Sequence, residues 1–139
     1  MARSNSLIQI SSLERGVTHV RLSGEVDAAV AAPIQQALAG LVREGHTRLL
    51  IDLTDVSFID STGLGILLNT VRKLRRRRGR LAVACPNPMM RQLFELVGHN
   101  LLFPVDETVD QALHHLRERR GRERESAVGG PQSADSASS

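Results

Sequence analysis

Apolar positions along this chain change their spacing several times, and each change marks a new element. In LIQISSLERGVTHVRLSG they form two short clusters, Leu7, Ile8 and Ile10, then Val17, Val20 and Leu22, with Glu14, Arg15 and Gly16 between them. Such clusters around a turn signal predict two short strands. GEVDAAVAAPIQQALAGLVREGH comes next, with Val30, Ile34, Ala37, Leu38, Leu41 and Val42 at helical spacing and Gly45 as a stop. This predicts an amphipathic helix, and Pro33 sits near its start, where a missing N–H matters least.

TRLLIDLTDVSFID carries a nearly continuous apolar run, Leu49, Leu50, Ile51 and Leu53. Runs of this kind belong to strands buried on both sides, so this strand is expected at the centre of a sheet. STGLGILLNTVRKLRRRR opens with cap-type residues and places Leu64, Leu67, Leu68, Val71 and Leu74 three and four apart, which predicts a second helix. RLAVAC reads as another strand. Past Pro86, Asn87 and Pro88, MMRQLFELVG reads as a short helix with Met90, Leu93, Phe94 and Val97 on one side and Gly98 behind it. LLFPVD reads as a brief edge strand, and ETVDQALHHLRERR as a last helix with Val109, Ala112, Leu113 and Leu116 on one face.

The order β-β-α-β-α-β-α-β-α implies parallel crossovers, which are right-handed in nearly all proteins. An α/β domain is therefore expected, while periodicity leaves open whether one face or both are covered. The 139 residues suit one domain, assigned to residues 1–120. Residues 121–139, GRERESAVGGPQSADSASS, hold almost no large apolar group and are expected to be a disordered tail.

Composition narrows the chemistry. With three Phe and neither Tyr nor Trp, the core has to be built from aliphatic side chains. No run approaches the roughly 18 apolar residues of a membrane span, and MARSNSLIQI lacks the apolar core of a signal peptide, so no membrane contact and a cytoplasmic location are expected. The single cysteine, Cys85, follows an apolar run and is expected to be a buried, inert thiol. Within the net charge of +3, Arg72, Lys73, Arg75, Arg76, Arg77, Arg78 and Arg80 contribute +7, leaving −4 for the rest of the chain. This run is read as a solvated helix end favoured by the helix dipole; it has no aromatic interleaving, and no direct nucleic-acid contact is expected. The five histidines lack ligand spacing with cysteine or carboxylates, so no metal is expected. There is neither a P-loop nor a GxGxxG, no cofactor is expected, and no catalytic residue is assigned.

The most informative segment is DVSFIDSTGLGILL, residues 55–68. A buried strand ends at Ile59, and Asp60, Ser61, Thr62 and Gly63 turn the chain into a helix. Free N–H groups at a helix N-terminus stabilise an oxyanion or a phosphate. Gly63 and Gly65, lacking side chains, allow another backbone to come close. The plainer alternative is that Asp60 or Ser61 is an ordinary N-cap contributing about 1 kcal/mol. Asp27, at the end of GEVD, is either a cap of the first helix or part of the same surface, and Thr62 is a turn residue or a second hydroxyl acceptor.

Over about residues 7–118 the chain resembles the STAS domain of bacterial anti-sigma factor antagonists. The resemblance rests on LSGEVDAAV at 22–30, LLIDLTDVSFIDSTGLGILL at 49–68 and the strand, PNP turn and LFELVG helix at 81–98. DSTGLG at 60–65 matches the family's phosphorylation motif without departure. The resemblance implies a mixed four- to five-stranded sheet with about four helices packed mainly on one face. It implies that Ser61 is phosphorylated and that Asp27, Asp60, Ser61, Thr62, Gly63 and Leu64 form the partner-binding surface. It also implies a partner-switching cycle without catalysis by this chain. The unphosphorylated form binds an anti-sigma factor that is also a serine kinase and so releases a sigma factor; a PP2C-type phosphatase resets the phosphorylated form. An alternative is a STAS interaction module of another assembly, such as a lipid transporter or stress complex, without sigma-factor control.

Overall fold

The computed structural model describes residues 7–97 and 102–117. Five strands, β1 (Ile8–Glu14), β2 (Val17–Val26), β3 (Arg48–Ile59), β4 (Arg80–Ala84) and β5 (Val105–Asp106), form one sheet in the order β1-β2-β3-β4-β5. β1 is antiparallel to β2, and the other neighbours are parallel. The helices are α1 (Ala31–Arg43), α2 (Ser61–Arg75), α3 (Pro88–Val97) and α4 (Val109–Leu116). The α/β class, the mixed sheet and the number of helices expected from the sequence are all present.

Because α1, α2 and α3 each join a strand to its immediate parallel neighbour in one direction across the sheet, right-handed crossovers place all three on one face. There Val20, Leu22, Leu49, Ile51, Leu53, Leu81 and Val83 meet Ile34, Leu38, Leu67, Val71, Leu74 and Phe94 in the main core. The other face is closed by α4, whose Ala112, Leu113 and Leu116 pack on Val17, Leu50, Ala82 and Ala84. Side chains alternate across a strand, so the unbroken run in β3 is explained: Leu49, Ile51 and Leu53 serve one face and Leu50 the other. Thr108 starts α4 with a reciprocal cap, its hydroxyl accepting from the Gln111 N–H while the Gln111 side chain takes the Thr108 N–H.

Two features that periodicity does not show bear on function. β2 runs ten residues, through GEV to Val26, because β3 continues beside it to Ile59; the pairing shifts register between Gly24 and Glu25, and Gly24 has φ +82°. A short 3-10 turn (Ala28–Val30) then precedes α1, and Pro33 falls in the first turn of that helix. Among the described residues no helix is long and apolar enough to cross a membrane. Gly98 and the tail assigned to residues 121–139 lie outside the described residues.

Candidate functional site

The ends of β2 and β3 lie side by side, with Val26 paired to Ile59 and the Asp60 N–H donating to the Val26 carbonyl at 3.3 Å. Asp27 and Asp60 are each the next residue after a paired position, so the topology brings both carboxylates to one edge of the sheet. Both are extended, and both act as caps. The Asp60 Oδ1 accepts from the Gly63 N–H at 3.0 Å and opens α2; the Asp27 Oδ1 accepts from the Ala29 N–H at 3.0 Å and opens the 3-10 turn ahead of α1. Such caps are worth about 1 kcal/mol each. Asp27 therefore caps the turn and also borders Asp60, so its two sequence readings are compatible.

Ser61 is the first residue of α2 and is exposed, as is Thr62. An α-helix starts with four amides that have no partner within the helix. Here Asp60 donates to β2 and Gly63 to the Asp60 carboxylate, while those of Ser61 and Thr62 have no protein acceptor among the described residues. Gly63, expected in the partner surface, is buried instead. A Cβ there would lie 2.8 Å from the Val26 carbonyl oxygen, 2.8 Å from Ile59 Cγ1 and 2.9 Å from Val26 Cγ1. The backbone that comes close to Gly63 is the chain's own β2, and the absent side chain lets α2 start against the sheet. Gly65 is exposed with nothing within 4 Å of its Cβ position, so that approach stays open.

An apolar groove of about 200 Å³ adjoins the hydroxyl, lined by Ile59, Leu64, Leu93, Phe94, Leu96 and Val97, with Asp60 and Ser61 at its rim. Leu64 is half-buried and packs against the core. α3 turns Met90 and Phe94 inward yet leaves Met89 75%, Leu93 40% and Leu96 83% exposed. The helical period groups Leu93 with the buried side of this helix; in the fold it lines the groove. Met89 and Leu96 carry a usable sequence signal, since MMRQLFELV has more large apolar residues than one helical face can bury.

A polar cluster marks the opposite face of β2 and β3. His19 Nε2 lies 2.8 Å from Asp52 Oδ2, the Thr54 hydroxyl and N–H donate to Asp52 Oδ1, and Arg21 pairs with Asp55. Burial alone would raise the Asp52 pKa; the His19 and Thr54 hydrogen bonds outweigh it and hold the carboxyl at about 2. These groups satisfy one another, which fits a structural role joining the two strands. Cys85 is fully buried, as expected, and burial pushes its thiol pKa up. Among the described residues no group of three or more His, Cys, Asp or Glu side chains is placed to hold a metal ion.

Comparison with known proteins agrees with this geometry. The STAS-domain family model matches residues 12–112. An anti-sigma-B factor antagonist of Listeria monocytogenes is 38% identical over 94 residues, covering 66% of this chain and 82% of the relative. The crystal structure of an anti-sigma factor antagonist from Mycobacterium paratuberculosis superposes with a TM-score of 0.72 at 34% identity, over 80% of this chain and 93% of that one. The Bacillus cell fate determinant SpoIIAA in its phosphorylated form superposes with a TM-score of 0.63 at 28% identity, over 79% of this chain and 99% of that one. A five-stranded mixed sheet, a capped serine at the start of α2 and these relatives converge: the chain belongs to the STAS-domain family of anti-sigma factor antagonists, which are regulators and not enzymes.

Proposed function

We propose that this protein is a cytoplasmic partner switch whose state is set by phosphorylation of Ser61. In the unphosphorylated form the surface made by Asp27, Asp60, Ser61, Thr62 and Leu64 binds an anti-sigma factor that is also a serine kinase, and a sigma factor is released. Phosphorylation ends the binding, and a PP2C-type phosphatase restores it. Gly63 contributes by letting α2 begin against β2. The folded unit is residues 1–120, with 121–139 dispensable to it.

The observation that carries this reading is the placement of the Ser61 hydroxyl, exposed at the first position of a capped helix and on the rim of an apolar groove. A phosphate there adds about −1.5 to −2 charges. It is tolerated within the folded chain because the helix dipole and the adjacent N–H groups favour an anion. At an interface it is costly, because the added charge must be desolvated beside Asp60, and an unpaired buried charge costs several kcal/mol.

The test is phosphate transfer and affinity measured together. A cognate kinase with ATP adds one phosphate to the wild type and none to Ser61→Ala, by intact mass and peptide mapping. Ser61→Ala still binds the anti-sigma factor in calorimetry, whereas Ser61→Asp loses about 2 kcal/mol, roughly thirtyfold in dissociation constant, with unchanged circular dichroism. Modification mainly at Thr62, or equal affinity of wild type, Ser61→Asp and phosphorylated protein, overturns the switch. Failure to engage any anti-sigma factor favours the alternative of a STAS module in another assembly.

A further inference from the structure

The arginine run reads as a solvated helix end while it is seen along the sequence alone; the fold gives it neighbours. β2, β3 and β4 are parallel and the helices between them run back, so the ends of α1 and α2 and the starts of β3 and β4 share one pole of the molecule. Contacts fix this convergence. The Arg77 guanidinium donates to the Val42 carbonyl at 2.7 Å, the Arg80 N–H donates to the Thr47 carbonyl at 2.8 Å, and Arg48 pairs with Arg80 across the strands. Arg43, at the end of α1, joins the same pole.

Helix capping does not account for this much charge. The macrodipole acts within the last turn, and that turn holds Arg72, Lys73 and Arg75, while Arg76, Arg77, Arg78 and Arg80 lie past it. Among the described residues no carboxylate pairs with Arg72, Arg75, Arg76 or Arg78, and all four are exposed. Among the described residues the acids at this pole are Glu14, which pairs with Arg117 at 3.3 Å, and Glu44, which lies 3.8 Å from His46. A cleft of about 310 Å³ beside the ridge is bordered by Arg75, Arg80 and His115. The other pole carries Asp27 and Asp60 at the ends of β2 and β3, while Asp106 pairs with His115 of the cleft at 3.0 Å.

We propose that this basic pole is a docking surface for the phosphate backbone of a nucleic-acid duplex, bound without regard to sequence. Guanidinium groups match phosphate oxygens in pairs, and a ridge of arginines beside a cleft suits an extended polyanion. A single strand would call for aromatic stacking platforms, and all three phenylalanines lie elsewhere: Phe94 and Phe103 buried, Phe58 on β3. A bilayer would call for apolar groups to insert, and the exposed ridge residues are all cations. From Ser61 to Arg75 the helix rises about 22 Å, roughly two Debye lengths at 0.1 M salt. Duplex and anti-sigma partner would thus occupy opposite ends, and phosphate at Ser61 would leave the duplex contact unchanged.

The experiment is fluorescence anisotropy of a short labelled DNA duplex of arbitrary sequence with the full chain. Binding is expected to weaken about a hundredfold between about 50 and 200 mM salt, as for about four neutralised phosphates. The triple variant Arg72→Gln, Arg75→Gln, Arg76→Gln should bind about tenfold or more weakly with a shallower salt slope. The corresponding triple lysine variant should keep most of the affinity, and Ser61→Asp all of it. Equal binding by wild type and the glutamine variant overturns the proposal. So does binding lost only on removing residues 118–139, or tighter binding to anionic vesicles or polyglutamate than to the duplex.

Discussion

Two glycines in one motif, Gly63 and Gly65, do opposite work, and only the tertiary structure separates them. At Gly63 a methyl group would overlap a backbone carbonyl at 2.8 Å, an atom that cannot swing aside as a flexible side chain can. Gly63→Ala should therefore cost about 1–3 kcal/mol, the usual penalty for overpacking, measured as a shift in the denaturant midpoint. At Gly65 nothing lies within 4 Å, and the residue is exposed inside a helix. Gly65→Ala should stabilise the free protein by about 0.4–1 kcal/mol through helix propensity and a less flexible unfolded chain. It should nevertheless weaken the anti-sigma partner severalfold if the partner's backbone uses that opening; unchanged affinity in calorimetry would place Gly65 outside the interface. The sequence makes both glycines candidates for close approach. It does not reveal that one of the approaching backbones is the chain's own, because that contact joins residues 26 and 63 through the sheet. A cap at this strand-to-helix turn is legible because it depends only on neighbouring residues; that Asp60 and not Ser61 fills it is seen only in the structure.

α3 shows where reading by element stops. Its period correctly identifies a helix with Met90 and Phe94 inward, but a helical pattern ranks faces by hydrophobicity and says nothing of how wide a face the sheet will cover. β5, which comes after it, is only two residues long at the sheet edge, so little remains there to hold α3 down on its far side. The outcome is an apolar ridge, Met89, Leu93 and Leu96, beside the Ser61 groove. Leu96 is 83% exposed, and replacing it removes almost no packing in the free chain. Leu96→Ser should leave thermal unfolding within about 0.5 kcal/mol of wild type, as for other surface substitutions. Burying a leucine side chain at an interface is worth about 1.5–3 kcal/mol, so the same change should weaken the anti-sigma partner about tenfold or more by calorimetry. Wild-type affinity in that variant would remove α3 from the docking surface.

Across the whole molecule the sheet separates two roles. The strand order is partly legible, because alternating strands and helices with short connections favour neighbouring parallel strands. Which face α4 takes is not, since α4 comes after the last strand and no further crossover constrains it; its position depends on which face still has uncovered apolar area. That area is Val17, Leu50, Ala82 and Ala84, and α4 seals it with Ala112, Leu113 and Leu116. Leu116 is fully buried there, remote from Ser61 and the groove, which belong to the face carrying α2 and α3. Leu116→Ala should cost about 2–5 kcal/mol, transfer of the lost methylenes plus the cavity left behind. A domain of this size has only about 5–15 kcal/mol in hand, so a clear fall in the denaturant midpoint is expected. The proposed switch surface should not change: below the unfolding transition, Leu116→Ala should accept phosphate at Ser61 and bind the anti-sigma factor with wild-type affinity. If stability falls as expected but affinity also drops tenfold in the folded protein, the two faces are coupled through the strands they share. If stability is untouched, α4 is not held on the sheet in solution as it is here.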